Sequence, residues 1–234
     1  RPFKFIFVSG VAPIPSYFTG LIDSQTDILD VHSMEYDLYL ETRQLEISDK
    51  PEHVVFLDGY GPFHPDLLVF NIRFPCSIEE YYGNLNSLFK TIEDKFGLKV
   101  VIAAHPKSKY EEMPDLFEGR QILRGETHNL VKNSKFVLTS ASTAVQFAVI
   151  YNKPIIFLAT SSSQTNYVGW QIKRMASLLG KLPIHWTENY SVDFEKEIEI
   201  DDEKYFQFMD NYIKKTGSPD RYSWDIFADY LESL

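Results

Sequence analysis

Short apolar runs alternate with amphipathic stretches from about residue 53 onward, and this alternation constrains the fold more than any other feature of the chain. The apolar runs are rich in β-branched and aliphatic residues, which is typical of buried strands. They predict strands at 54–57, 100–104, 136–139 and 154–158, with a weaker strand at 121–123. Strands that alternate with helices form a mainly parallel sheet. The chain is therefore predicted to be an α/β protein with a Rossmann-like, mainly parallel sheet flanked by helices.

The stretches between these strands predict helices. Ser77 has the position of the N-cap of a helix over 78–96, and Gly97 supplies its C-terminal stop. Further helices are predicted over 126–133, 142–151, 165–180, about 201–215 and 223–234. The last two are rich in aromatic residues.

The texture of the sequence divides the chain into three parts. Residues 1–50 are interpreted as an N-terminal connector or the remnant of a partner domain. Residues 51–200 hold the alternating pattern and are predicted to form the Rossmann-like domain. Residues 201–234 are predicted to form C-terminal helices that pack back on that domain.

The overall charge excludes several classes of partner. The chain has 23 lysine and arginine residues against 33 aspartate and glutamate residues, which gives a net charge of −10. So acidic a chain lacks the broad positive surface that binds DNA, RNA or anionic lipid, and we expect no nucleic-acid partner. No apolar run approaches the roughly 20 residues that a membrane span requires, and no secretory leader is recognisable. With Cys76 as the single cysteine, these features predict a cytoplasmic protein.

The strand predicted at 100–104 ends in residues that can bind an anion. His105-Pro106 follows it directly, and Lys107 comes next. In an open parallel sheet, ligands bind at the carboxyl ends of the strands. His105 is therefore predicted to donate a hydrogen bond to a phosphate and to stabilise that phosphate as a leaving group. Lys107 adds positive charge to an acidic chain. Taken alone, a histidine after a strand is more often an ordinary loop or core residue.

A cluster of hydroxyl side chains follows the strand predicted at 136–139. It includes Ser140, Ser142 and Thr143. A helix that begins near Ser142 would bring its free N–H groups and the positive end of its dipole to the same place, which makes a phosphate site without a glycine-rich loop. The alternative is ordinary N-capping, which explains one hydroxyl and leaves the others unassigned. The joint occurrence of this cluster and His105 favours phosphate binding, with a nucleotide as the source of the phosphate.

Two carboxylates stand near predicted strand ends. Asp58 comes after a strand and before Gly59, so it is a candidate general base, although Asp-Gly after a strand is also ordinary turn chemistry. Glu126 and Thr127 open a short predicted helix, and Glu126 is a candidate ligand of ribose hydroxyls. The alternative is a carboxylate placed favourably at a helix N-terminus. His64, in the loop after Asp58, is a less specific candidate.

Other chemistries find little support in the sequence. The chain has no cysteine cluster and no His-x-x-x-His helix, so we expect no metal site. A Gly-x-Ser-x-Gly elbow is missing, which argues against a Ser-His-Asp hydrolase. The segment Gly59-Tyr-Gly61 lacks the third glycine of a dinucleotide fingerprint, which argues against hydride transfer. We therefore expect no cofactor, with the nucleotide acting as part of a substrate.

Taken together, these motifs resemble the C-terminal half of GT-B-fold glycosyltransferases, in particular bacterial sialyltransferase-like enzymes and capsule or lipopolysaccharide transferases. Those enzymes use an acidic-Gly motif, a His-Pro motif and a Ser/Ser-Thr motif to handle a nucleotide-activated sugar, often a CMP-sugar, without a metal. The matching positions, within about residues 53–160, are Asp58-Gly59, His105-Pro106 and Ser140-Ala-Ser142-Thr143.

The resemblance implies a role for each matching residue. His105 and the hydroxyls of Ser142 and Thr143 would hold the donor phosphate. Glu126 would bind the ribose, and Asp58 would be the carboxylate that deprotonates the acceptor hydroxyl. By the same resemblance, the Rossmann-like domain would bind the nucleotide sugar, and the N-terminal segment would belong to an acceptor-side domain.

The leading hypothesis is a metal-independent GT-B glycosyltransferase that moves a sugar from a nucleotide-activated donor, with a CMP-sugar favoured, to a surface polysaccharide or lipo-oligosaccharide. Its expected partners are the donor, a glycan or glycolipid acceptor and, peripherally, a membrane-bound assembly complex at the inner face of the membrane. One alternative is a non-catalytic nucleotide- or sugar-binding module of a polysaccharide assembly system. Another is a nucleotide-sugar epimerase or a polyol-phosphate transferase, which the same histidine and phosphate site would serve.

Overall fold

Both ends of the chain belong to one unit, and the middle of the chain forms another. In the computed structural model the first unit is Arg1–Glu46 with Asp202–Leu234, and the second is Ile47–Asp201. The residues that the structure describes are 1–44, 50–140, 142–160, 167–186 and 192–234.

Strands and helices alternate along most of the chain. The strands are β1 Phe5–Ser9, β2 Asp27–Val31, β3 His53–Leu57, β4 Lys99–Ala104, β5 Ile122–Arg124, β6 Ser134–Thr139, β7 Ile155–Ala159 and β8 Ile184–His185. The α-helices are α1 Met34–Thr42, α2 Pro65–Val69, α3 Ile78–Phe96, α4 Thr127–Asn133, α5 Val145–Ile150, α6 Tyr167–Leu178, α7 Phe194–Glu197, α8 Asp202–Phe208 and α9 Ser223–Glu232. Short 3-10 turns cover Ser16–Leu21, Gly61–Phe63 and Tyr110–Glu112, and a π-helical turn covers Met209–Ile213.

The second unit is built on a six-stranded sheet in the order β5-β4-β3-β6-β7-β8. Every neighbouring pair in this sheet runs parallel. The prediction of an α/β fold with a mainly parallel sheet is therefore confirmed. Counted from β3, the first strand of the unit, the order is 3-2-1-4-5-6, which is that of doubly wound nucleotide-binding sheets. The order reverses between β3 and β6, and ligands of such sheets bind in the crevice at that point.

Both faces of the sheet are covered, which explains why its central strands are apolar throughout. All five residues of β3 are buried. On one face Val54 and Phe56 belong to a core cluster with Phe89 of α3. Because side chains alternate along a strand, Val55 and Leu57 point to the other face, where α4 contacts β3, β4 and β6. Each large apolar side chain buried in this way contributes about 1.5–3 kcal/mol to stability.

Helix α3 has the ends that the sequence predicts. The Ser77 Oγ accepts a hydrogen bond from the Glu80 N–H at 3.1 Å, which satisfies one of the free donors of the first turn. At the other end Gly97 has φ of 65° and donates its N–H to the Glu93 carbonyl. A left-handed glycine of this kind stops a helix.

The helix after β6 is shorter than the sequence pattern predicts. The pattern predicts a helix over 142–151, whereas α5 covers Val145–Ile150. Before it, the Ser142 Oγ accepts a hydrogen bond from the Ala144 N–H at 3.3 Å, and Thr143 lies in the same turn. A serine side chain that takes a backbone donor in this way stabilises a turn at the expense of helix. Ser142 therefore lies before the helix rather than in its first turn.

The first unit contains the parallel strands β1 and β2. Helix α9 packs on β2, and the π-helical turn packs on β1. Gly10 has φ of +75°, and a Cβ added to it would lie 2.3 Å from the Asn211 backbone, so only glycine allows this approach. These contacts join Asp202–Leu234 to Arg1–Glu46 in one unit. The predicted division into three parts, with residues 201–234 packing back on the Rossmann-like domain, stays a prediction. Local sequence patterns do not record contacts between segments so far apart in the chain.

Among the described residues, no helix combines the length and the apolar character needed to cross a bilayer.

Candidate functional site

The carboxyl ends of β4, β3 and β6 lie side by side in the middle of the sheet. His105 follows β4, Asp58 follows β3, and Ser140 follows β6. β3 and β6 are also the two strands between which the strand order reverses. The structure thus gathers one residue from each of the three sequence motifs at the point where a ligand of such a sheet binds.

Asp58 joins the ends of β3 and β4 through its side chain. Its carboxylate accepts hydrogen bonds from the Tyr60 N–H at 2.9 Å, the Tyr110 hydroxyl at 2.8 Å and the His105 N–H at 3.4 Å. Burial raises the pKa of the Asp58 carboxyl, and these donors oppose the rise. Asp58 is only 3% exposed. A carboxylate so enclosed positions its neighbours, and an acceptor hydroxyl has little access to it. The role of Asp58 as a general base stays a prediction.

Two tyrosines complete the enclosure of Asp58, and sequence reasoning did not identify either. Tyr110 donates to Asp58, and its hydroxyl lies 3.2 Å from that of Tyr82 in α3. Burial and the nearby Asp58 carboxylate hold the pKa of Tyr110 far above its usual range. The Tyr110 hydroxyl therefore keeps its proton and remains a donor. Because Tyr82 lies in α3 and Tyr110 in the loop after β4, no local motif signals their meeting.

Gly61 brings the turn after β3 close to α3. Its φ is +20°, and a Cβ added there would lie 2.8 Å from the Tyr81 ring. Tyr81 is 4% exposed, and its hydroxyl is hydrogen-bonded to Ser140. The turn after β3 and the end of β6 thus contact the same tyrosine.

His105 is half-buried at the end of β4, with one ring nitrogen already occupied. Its Nδ1 accepts a hydrogen bond from the Lys107 N–H at 3.1 Å. Its ring lies parallel to that of Tyr60, with centroids 6.2 Å apart. Burial lowers the pKa of His105, as do the charges of His64 and Lys107, while Asp66 opposes them. A neutral ring whose Nδ1 accepts carries its proton on Nε2, so His105 offers a donor on that side.

The His64 ring contacts that of His105. The two centroids are 4.9 Å apart, and the rings meet edge to face at 75°. His64 also caps α2, because its Nδ1 accepts a hydrogen bond from the Asp66 N–H. The sequence makes His64 only a less specific candidate. However, His64 precedes a proline, as His105 does, and this shared pattern could have indicated a similar role.

Of the hydroxyl cluster after β6, only Ser140 is shown to contact the residues around Asp58. Ser140 reaches the core through Tyr81, whereas the Ser142 side chain serves the turn before α5. Thr143 is exposed, and α5 is six residues long. Ser142 therefore serves the turn before α5, whose N-cap, Ala144, has no side-chain cap hydrogen bond. So short a helix also supplies little of the dipole that the sequence predicts at this place. Phosphate binding by Ser142 and Thr143 stays a prediction.

The remaining predicted residues follow β4 and β5 at the same edge of the sheet. Pro106 and Lys107 are exposed in the loop after β4. Glu126 is exposed at the start of α4, and its Oε2 accepts a hydrogen bond from the Asn129 side chain at 3.0 Å. Thr127 is half-buried as the first residue of α4. Both Glu126 and Thr127 follow β5, which β4 separates from β3, so the structure does not bring them to Asp58.

Within the described ranges, no group of three or more His, Cys, Asp or Glu side chains is arranged to hold a metal ion. The sequence-based expectation of a metal-independent site stays a prediction.

Comparisons with known proteins give matches only among solved structures. No protein-family model matches the chain, and no curated protein matches it. The chain is similar to an S. aureus MnaA–UDP co-structure, with 16% identity, a TM-score of 0.45 and coverage of 89% of this chain and 56% of that one. It is also similar to the E. coli ADP-heptose LPS heptosyltransferase II, with 16% identity, a TM-score of 0.33 and coverage of 86% and 52%.

A third similar structure is the Methanocaldococcus jannaschii UDP-GlcNAc 2-epimerase in complex with UDP-GlcNAc and UDP. The identity is 14%, the TM-score is 0.41, and the match covers 92% of this chain and 57% of that one. The chain thus spans about half the length of these solved structures. Likeness at this level assigns no activity.

Proposed function

We propose that this chain contributes the nucleotide-sugar-binding half of a GT-B-type glycosyltransferase, which moves a sugar from a nucleotide donor to a glycan acceptor. The observation that carries the proposal is the meeting of Asp58, His105 and Ser140 at the reversal point of a 3-2-1-4-5-6 sheet. Sheets of this order bind nucleotides at that point. The match to the acidic-Gly, His-Pro and Ser/Ser-Thr motifs supports a nucleotide sugar as the ligand.

In this proposal His105 stabilises the departing phosphate. The acceptor oxygen bonds to the sugar while a carboxylate takes the proton of its hydroxyl, and the bond between sugar and phosphate breaks. Negative charge then develops on the phosphate oxygens, and a donor placed near them lowers the barrier. The His105 Nε2–H is such a donor, since Lys107 occupies the Nδ1. Asp58 acts through the His105 N–H and holds the loop in place. The exposed Lys107 adds positive charge beside the phosphate.

We propose a CMP-sugar as the donor and a surface polysaccharide or lipo-oligosaccharide as the acceptor. A nucleoside monophosphate leaving group carries less negative charge than a nucleoside diphosphate. It therefore needs fewer positive side chains to bind it, which suits an acidic chain with Lys107 beside His105. No metal or other cofactor is required in this proposal. A peripheral association with a membrane-bound assembly complex would bring the chain to its acceptor.

A second candidate function is a nucleotide-sugar epimerase, and the burial of Asp58 favours it. A transferase needs a base that reaches the hydroxyl of a second substrate, whereas an epimerase needs proton-transfer groups that reach only the sugar of the one bound nucleotide sugar. Asp58 is 3% exposed and has three donors of its own, so it is poorly placed to serve an acceptor. The phosphate site would be the same in both functions.

Calorimetric titration of the full chain with CMP, UDP and GDP tests the shared part of these functions. His105→Asn is the informative variant, because its side-chain oxygen replaces Nδ1 as acceptor for the Lys107 N–H while the Nε2–H donor is lost. We expect at least one nucleotide to bind, and the variant to bind it about tenfold or more weakly. Binding of none of the three, or equal binding by the variant, would refute the proposal. Product analysis with a panel of nucleotide sugars then separates transfer to a glycan from epimerisation.

A further inference from the structure

Two histidine-proline pairs with the same local structure stand after adjacent strands. They are His64-Pro65 after β3 and His105-Pro106 after β4. In each pair the imidazole Nδ1 accepts the backbone N–H two residues after the histidine, from Asp66 at 3.2 Å and from Lys107 at 3.1 Å. The proline that follows each histidine has no N–H. The N–H of the next residue is therefore the first backbone donor after the histidine that its ring can bind.

This local structure fixes the protonation pattern of both neutral rings. A ring whose Nδ1 accepts a hydrogen bond carries its proton on Nε2. The Asp66 carboxylate lies 3.7 Å from the His64 Nδ1, beyond hydrogen-bonding distance. His64 and His105 therefore each present an Nε2–H donor.

The two imidazole rings that carry these donors lie close together. The ring centroids are 4.9 Å apart, and the His64 side chain is 24% exposed. Within the part of the chain that the structure describes, neither Nε2 makes a hydrogen bond. When a bound ligand excludes water from such donors, leaving them without a hydrogen bond costs free energy. A ligand that supplies hydrogen-bond acceptors is therefore favoured.

The chemistry of the pair favours an anion. A metal ion would need a lone pair on each Nε2. Because each Nδ1 accepts a hydrogen bond, each Nε2 carries a proton and has no lone pair to offer. The described residues also provide no third ligand. The adjacent carboxylate, Asp58, is already enclosed by its own donors. A phosphate has several oxygens on one centre, so it can accept from both rings together.

We propose that His64 and His105 form a two-imidazole clamp that binds a phosphate group through both Nε2–H donors. The clamp deepens the proposed function and rests on it in so far as the phosphate belongs to a nucleotide. It assigns His64, which the motif resemblance leaves without a role, to direct contact with the donor substrate.

The test uses the full chain with ¹⁵N-labelled histidine and follows the imidazole signals by NMR during titration with inorganic pyrophosphate, then with CMP, UDP and GDP. The variants are His64→Asn and His105→Asn, since asparagine keeps an acceptor at the place of Nδ1 and lacks the Nε2–H. Lys109→Ala is the control, because it removes an exposed charge from the same loop without touching the rings.

We expect pyrophosphate to shift the signals of both rings, each asparagine variant to weaken binding about tenfold or more, and the control to weaken it less than about twofold. A shift of the His105 signals alone, or full affinity in His64→Asn, would overturn the clamp. Pyrophosphate binding by both rings without binding of any of the three nucleotides would contradict the proposed function and leave the clamp standing. Nucleotide binding that leaves the His64 signals unchanged would contradict the clamp and leave the proposed function standing. If no probe binds, both proposals are contradicted.

Discussion

At the residue scale, the organisation of the site depends on the enclosure of Asp58. Asp-Gly after a strand is visible in the sequence, yet the sequence does not show whether the carboxylate faces a substrate or the protein. The answer comes from Tyr110, which donates to Asp58 from the loop after β4. Because the two residues are far apart in the chain, the positioning role of Asp58 emerges only from the folded structure.

Replacing Tyr110 tests this positioning role. Tyr110→Phe removes a donor from a buried carboxylate, so we expect a loss of about 1–3 kcal/mol in the free energy of unfolding. Urea denaturation measures it. The matched control is Tyr82→Phe, which removes a hydroxyl that contacts Tyr110 but does not bond to Asp58, and a smaller loss is expected there. Equal losses in the two variants would show that Asp58 is not held by Tyr110.

A second prediction at this scale concerns pH. Burial lowers the pKa of His105 from its ordinary value of 6.5, and the charges of His64 and Lys107 lower it further, against Asp66. Below that ordinary value the unfolded chain therefore binds more protons than the folded chain, and stability is lost as the pH falls through this window. Thermal unfolding from neutral pH to about 5 should show a shallower decline for His105→Asn than for the wild type. Identical pH profiles would contradict the depressed pKa.

At the element scale, the turn between β3 and α2 depends on Gly61. An alanine there would place its Cβ 2.8 Å from the buried Tyr81 ring, with φ at +20°. We expect Gly61→Ala to destabilise the protein by about 1–3 kcal/mol, because a well-packed core tolerates added volume poorly. Gly59→Ala is the control, since an added Cβ there meets nothing within 4 Å. Chemical denaturation of the two variants should rank them in this order, and a control as unstable as Gly61→Ala would disprove the steric explanation.

The elements themselves were largely predictable, for a physical reason. The central strands are apolar on both faces, and α3 has a capping serine and a terminal glycine, so local sequence records their type and their ends. Helix α5 departs from its predicted bounds because Ser142 stabilises a turn through its own side chain. Competition between a side chain and the helix for one backbone N–H is decided by geometry that a hydrophobic pattern does not contain.

At the scale of the whole molecule, what the sequence could not supply is which segments meet. The alternation of strands and helices predicts a parallel sheet but not the order β5-β4-β3-β6-β7-β8 that puts Asp58 between His105 and Ser140. It likewise does not show that residues 202–234 join the N-terminal segment in one unit. Both depend on pairings between distant parts of the chain. The motifs gave the chemistry of the site, and the strand order gave its location.

The central claim is that a nucleotide phosphate binds at the carboxyl ends of β3, β4 and β6. Crystal structures of the full chain with CMP, with UDP and with GDP test it most directly. We predict phosphate density within hydrogen-bonding distance of the His105 Nε2, between the turn after Asp58 and Ser140. A nucleotide bound elsewhere on the chain, or no bound nucleotide at saturating concentration, would contradict the claim.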